Sequence, residues 1–219
     1  MARPPGHGPA YEIKRQEIID TAAALFAAKG YAATGITEIG DTVGLAKGAL
    51  YYYIKSKENL LVEIQERVLS PLLESARRIQ DLEAPSVVKL RLLSEELLNV
   101  IFERLDHIWV YEHDYRQLTG DNLTRMLDRR EEFEGIVRSM LVAAMAEGTF
   151  RQSDPTLAML QFLNMHNRTY QWVKPNARWD AEYLSRTYCR TLFNGFAEGQ
   201  CDLDALETDV AAYRMTTSS

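Results

Sequence analysis

Apart from Leu50 and Ile54, every residue from Lys47 to Lys57 is small, basic or hydroxyl-bearing: Lys47, Gly48, Ala49, Tyr51, Tyr52, Tyr53, Lys55, Ser56 and Lys57. That mixture suits the surface of nucleic acid. Short side chains at Gly48 and Ala49 let a helix sink into a major groove about 12 Å wide. Lys47 reaches a phosphate or a guanine edge. Tyrosine hydroxyls suit phosphates, and tyrosine ring edges suit thymine methyls. Lys55 and Lys57 fall at the start of a following helix, where unpaired backbone N–H groups also favour a phosphate. Three adjacent tyrosines cannot all enter one core, so at least part of this surface faces outward.

Such a helix needs a partner that holds it at a fixed angle. Counting from Ile36, Ile39 is fourth, Gly40 fifth, Val43 eighth, Gly44 ninth, Leu45 tenth and Leu50 fifteenth. A helix-turn-helix requires this kind of spacing: a small residue where the helices cross, a glycine in the turn and apolar residues at set offsets. Gly40 permits close approach and Gly44 takes the positive φ of the turn. Upstream, Ile18, Ile19, Ala22, Leu25 and Phe26 mark one face of a helix over about residues 11–29, ended by Gly30.

The stretch TGITEIGDTVGLAKGALYYYIKSKENLL, from Thr34 to Leu61, closely resembles the DNA-binding domain of the TetR family of transcriptional regulators, and the match extends back to Ile18. The resemblance implies an all-α homodimer. Three N-terminal helices bind DNA, about six more form a ligand-binding bundle, and the last two long helices dimerise. It places Thr34, Thr37, Lys47, Gly48, Ala49, Tyr51, Tyr52, Tyr53 and Lys57 at the DNA. Two positions depart from the family pattern. Ala46 stands where serine is usual, and the loss of such a cap typically costs about 1 kcal/mol. Thr37 stands where arginine is often found.

Helical spacing predicts further elements: a helix capped by Ser56 and running to about Arg78, one capped by Ser86 and running to Leu105, and shorter and longer helices over 108–118 and 122–147. Asp154 with Pro155 opens another to Trp172, Lys174-Pro175-Asn176 interrupts, and Asp180 caps the last through Phe196. Nine helices result. The expected domains are an arm (1–10, rich in Pro and Gly and read as disordered), a DNA-binding domain (11–56), a ligand-binding and dimerisation body (57–199) and a tail (200–219). Leu184, Tyr188, Leu192, Phe193 and Phe196 form a broad apolar stripe read as the dimer face.

From Glu147 to Pro175 the body looks like that of the TetR-type repressors of lipid degradation that respond to acyl-CoA thioesters, with Trp172 the best-matching residue. An elongated apolar inducer, an acyl-CoA above all, is therefore expected, held by Trp109, His113, Phe162, His166 and Trp172. Phe102, Met126, Met140 and Met165 could add lining, and Arg125, Arg129, Arg130 and Arg168 could meet an anionic group. The alternatives are a regulator that senses an aromatic or cationic drug, and an architectural DNA binder without a ligand. His107, His113 and His166 lack short metal-ligand spacing, so neither a metal nor a resident cofactor is expected.

Composition agrees. The 219 residues carry 25 basic and 31 acidic side chains, a net charge of −6. Residues 1–60 hold seven basic and six acidic ones, so the acidity lies in the remainder. That argues against a chromatin-type binder, which is basic throughout. Enzyme signatures (HExxH, GxSxG, GxxxxGK[ST], paired Glu-x-x-His) are absent, and so is an apolar run long enough to span a membrane. Two cysteines, Cys189 and Cys201, cannot make a disulfide framework, which suits the cytoplasm.

Overall fold

The computed structural model describes residues 8–174, 178–196 and 202–217. Ten α-helices and no strand occur among them: α1 (Pro9–Lys29), α2 (Ile36–Thr42), α3 (Lys47–Ile54), α4 (Lys57–Gln80), α5 (Ser86–Glu103), α6 (Leu105–His113), α7 (Gly120–Ala146), α8 (Pro155–Asn167), α9 (Ala181–Phe196) and α10 (Leu203–Thr217). Short 3-10 turns cover Tyr115–Gln117 and Arg168–Gln171. The expected arm and the Pro175–Asn176 interruption fall largely outside the described residues, as does Cys201. Of the arm, Pro9 already starts α1, where proline is tolerated because the first N–H groups have no helical partner.

The local signals act as their chemistry requires in several places. Ser56 Oγ accepts from Asn59 N (3.0 Å). Asp154 Oδ1 accepts from Thr156 N (2.8 Å) and Leu157 N (3.0 Å), and Asp180 Oδ1 accepts from Tyr183 N (2.8 Å). Five expectations need correction. Ser86 is not a cap: it is the first helical residue of α5, and its Oγ donates to the Glu147 carboxylate at 2.6 Å. The helix expected to reach Trp172 ends at Asn167, and the 108–118 helix instead begins at Leu105 and ends at His113. The expected tail contains α10. The apolar stripe of α9 is spent inside its own chain: Leu184, Leu192, Phe193 and Phe196 are all buried, with Phe193 against Phe150 at 5.2 Å.

The chain divides into two compact units, and the division does not fall at residue 56. One comprises residues up to Leu69 together with Arg104–Leu127; the other comprises Ser70–Glu103 together with residues from Asp128 onward. In the first unit α6 packs along α1. Ile18, Ala22 and Phe26 of α1 and Leu60, Leu61 and Ile64 of α4 form its core. Asp114, just past α6, accepts from Tyr31 N at 3.1 Å. Glu58 accepts from the N–H of Thr119 (3.2 Å), the hydroxyl of Thr119 (3.1 Å) and the side-chain amide of Asn122 (3.2 Å). The start of α7 is thereby tied to α4.

In the second unit α5 packs on α8, α9 and α10. Its centre holds a charge. Arg91 is 0% exposed, and its guanidinium pairs with Glu207 of α10 (2.6 Å) and Glu95 (3.0 Å). It also donates to Ser185 Oγ (2.6 Å), which donates to Ser94 Oγ (2.9 Å). Ser94 Oγ lies 2.5 Å from His166 Nε2, and His166 Nδ1 lies 2.7 Å from the Phe162 carbonyl. The carbonyl cannot donate, so Nδ1 carries the proton and Nε2 accepts from Ser94. Every donor in the row then points one way, from Arg91 to Phe162. Removing one partner of a buried ion pair generally costs about 3–5 kcal/mol, which explains why Leu203–Thr217 fold back as a helix: Glu207 is delivered to Arg91, and Leu206 and Val210 are buried beside it.

Burial, with a smaller contribution from Arg91, holds the pKa of His166 down to about 4 from the ordinary 6.5. Its imidazole is neutral in the folded state. Between pH 6.5 and pH 4 the unfolded chain therefore binds a proton that the folded chain refuses, and stability falls as pH falls. From pH 7 to pH 5 the His166 share of that loss should be about 2 kcal/mol. Urea denaturation at both pH values should show a correspondingly shallower decline for His166→Gln; equal declines would refute the assignment.

Candidate nucleic-acid interface

The α2–turn–α3 unit is set by one close contact. A Cβ built at Gly40 would lie 2.7 Å from the Leu45 carbonyl oxygen and 3.5 Å from a Leu50 methyl. Only glycine lets the turn fold back so near, and Leu45 N donates to Gly40 O at 2.8 Å across the same junction. Gly44 supplies the turn with φ +71°. Ala46 caps α3 through its carbonyl alone, accepting from Leu50 N at 3.0 Å, with no side-chain bond. The missing serine thus leaves the first α3 N–H groups without a side-chain acceptor from that position.

Helix α3 sorts its residues by face. Leu50 and Ile54 point into the core, at 0% and 5% exposed. Lys47, Gly48, Ala49, Tyr51 and Tyr52 are exposed, Tyr52 at 65%. A Cβ at Gly48 would meet nothing within 4 Å. Glycine costs about 1 kcal/mol relative to alanine inside a helix, and no contact among the described residues calls for it.

The tyrosines are neither all exposed nor packed in a core. Tyr53 stacks on Tyr11 of α1, with centroids 4.8 Å apart. Tyr52 meets Tyr11 edge-on at 5.6 Å and Tyr53 at 5.3 Å. Beside them lies an open cleft of about 400 Å³, lined in part by Arg15, Lys55 and Asn59. Tyr11 is the residue that sequence reasoning missed. It precedes the family-like block by several residues and no local pattern marks it, because its contact with α3 is made in space. Lys55 closes α3 with φ +62°, and Ser56 N donates to Ile54 O at 2.7 Å. This γ-turn is strained for a residue with a Cβ.

Two residues expected at the DNA are turned inward. Thr34 is 1% exposed, and its hydroxyl donates to the carbonyl of Gly30 (3.0 Å). It ties the α1–α2 connection together and has no exposed oxygen for a phosphate. The ammonium of Lys57 donates to the Tyr31 carbonyl and sits 4.1 Å from the centroid of the Tyr31 ring. Desolvation lowers its pKa. It fastens α4 to the loop after α1. Thr37, at the start of α2, is exposed.

The five expected ligand residues divide between the two units, two in the first and three in the second. Trp109 and His113 stack at 4.2 Å in the first unit, with His113 exposed. Phe162 and His166 lie 4.5 Å apart in the buried centre of the second. Trp172 is 46% exposed and meets Trp179 edge-on at 6.4 Å. Among the described residues no group of three or more His, Cys, Asp or Glu side chains is placed to hold a metal ion, and no helix is long and apolar enough to cross a membrane.

Comparison with known proteins settles what this arrangement belongs to. The family described as "Bacterial regulatory proteins, tetR family" matches residues 18–64, and "Tetracyclin repressor-like, C-terminal domain" matches residues 83–196, more than half of the chain. The chain belongs to the TetR family. Among its relatives, the HTH-type transcriptional repressor KstR2 of Rhodococcus jostii is 26% identical over 190 residues, spanning 84% of this chain and 91% of that protein. The TetR family regulator PfmR of Thermus thermophilus superposes with a TM-score of 0.75 at 28% identity, covering 81% and 97% of the two chains. AibR, crystallised in complex with isovaleryl coenzyme A and operator DNA, superposes with a TM-score of 0.73 at 27% identity, covering 82% and 98%.

Gly40→Ala should cost about 1–3 kcal/mol through the forced backbone shift, read as a lower urea midpoint. An unchanged midpoint would contradict the close approach. For Tyr11→Ala, gel retardation of a palindromic target selected by the wild-type protein should show about tenfold weaker binding, the equivalent of one or two lost aromatic contacts. Tyr11→Phe should bind like wild type.

Proposed function

We propose that this TetR-family regulator is a homodimeric repressor that inserts α3 of each protomer into successive major grooves of a palindromic operator and is released by a small molecule. The carrying observation is the α3 surface: an exposed Lys47–Gly48–Ala49–Tyr51–Tyr52 face on a helix whose angle Gly40 fixes. Half-sites in such complexes lie about 34–36 Å apart, so a ligand that fits better at another spacing lowers operator affinity by the ratio of its own affinities for the two states.

The inducer class we infer is an acyl-CoA or a related elongated apolar molecule. AibR supports this through its isovaleryl coenzyme A complex, and KstR2 supports repression through its description as a transcriptional repressor. A resident cofactor and a catalytic step have no part in this reading, and the site of action is the cytoplasm. The second copy covers the outer faces of α8 and α9, where Leu157 is 60%, Leu160 42% and Tyr183 54% exposed. These replace the buried α9 stripe as the apolar contribution to the dimer.

Replacing Lys47 and Tyr52 together with alanine should abolish retardation of a selected palindromic duplex in a buffer of roughly physiological ionic strength, about 0.15 M, while light scattering still reports a dimer. Retained sequence preference in that variant would overturn the assignment of α3 as the reading helix.

A further inference from the structure

Within the first compact unit, a narrow crevice lies between α4 and the beginning of α7. Val62, Leu69, Leu118 and Met126 supply apolar walls, Gln65, Glu66 and Asn122 supply polar ones, and Arg125, an exposed residue, completes the lining. Gln65 is 2% exposed. Its Nε2 donates to the Val110 carbonyl at 3.3 Å, while Oε1 is buried and has no hydrogen-bond partner among the described residues. The amide cannot turn over to relieve this, because the oxygen would then face the Val110 carbonyl, acceptor against acceptor. A buried acceptor fixed in this orientation calls for a donor beyond the described residues, such as a ligand N–H or a water.

We propose that this crevice is a subsite for a flexible, amide-bearing anionic ligand, whose N–H donates to Gln65 Oε1 and whose anionic end meets Arg125. The walls select a chain and not a ring. The crevice now has room for about 10 Å³, roughly one water molecule, so an unbranched segment is what Met126 and Leu69 can admit by changing rotamer. The guanidinium of Arg125, which also donates to Asn122 Oδ1 at 3.4 Å, presents a fork of N–H donors suited to a phosphate or carboxylate. A secondary amide in a methylene chain that ends in phosphates describes the carrier arm of a CoA thioester. The inference deepens the ligand reading above and rests on it for that choice of molecule; the amide acceptor at Gln65 stands on the geometry alone.

The test uses the full-length protein and two kinds of probe, measured by titration calorimetry and thermal melting. Isovaleryl coenzyme A should bind wild type, bind Gln65→Met at least tenfold more weakly, and bind Arg125→Ala at least fivefold more weakly. N-hexylacetamide, which has one amide N–H, should raise the wild-type melting temperature, and N-hexyl-N-methylacetamide, which has none, should not. The amide pair needs no variant, so it decides the matter even if Gln65→Met fails to fold. Should Gln65→Met hold the thioester as tightly as wild type does, the subsite is refuted while the thioester reading survives. Should wild type ignore the thioester yet separate the two amides, the subsite survives and the thioester reading falls. Equal response to both amides, or response to neither, refutes the subsite and leaves Gln65 with water alone.

Discussion

The contact between Gly40 and the Leu45 carbonyl governs the DNA-facing end of this protein. A single Cβ there would stand 2.7 Å from a backbone oxygen, too near for any side chain to be accommodated without moving the turn. With hydrogen in its place, α2 and α3 cross closely and Leu50 and Ile54 become the inner face of α3. The outward direction of Lys47, Gly48, Ala49 and Tyr52 then follows from helical periodicity. One absent carbon thus decides which side chains an operator meets.

The inward-turned Thr34 and Lys57 belong to the same logic. A helix-turn-helix of two short helices buries little apolar area by itself, and its flanking connections must be anchored by polar contacts. Thr34 closes the α1–α2 link, and Lys57 and Asp114 both hold the loop at Tyr31. Asp114 comes from far along the chain, which is why α6 belongs to the same compact unit as the DNA-reading helices. Both α4 and α7 start in that unit and continue into the other. Pro71 sits just past the change in α4 and removes one backbone hydrogen bond there.

The second unit depends on a buried cation. Arg91 is neutralised by Glu207 and Glu95, and its polarity is passed through Ser185 and Ser94 to His166 without leaving a donor unpaired. Such a row tolerates few alternative packings, because a shift of α8, α9 or α10 breaks a buried hydrogen bond or ion pair. It fixes the mutual register of four helices more tightly than their leucines alone could.

The sequence by itself determined the elements whose cause is local: the caps at Ser56, Asp154 and Asp180, the positive φ at Gly44, the small residue at Gly40 and the composition of α3. Each is a matter of backbone stereochemistry or of hydrogen bonds spanning a few residues, so neighbouring letters suffice to reveal it. Only the tertiary structure decided what distant residues share. It brought Tyr11 to Tyr53 and Glu207 to Arg91, and it buried the apolar stripe of α9. Polar residues carry no periodic signal of their partners, and an apolar face looks the same in sequence whether a second protomer or its own neighbours cover it. Which of those occurs depends on how the helices pack in space, a property of the whole chain and not of any window along it.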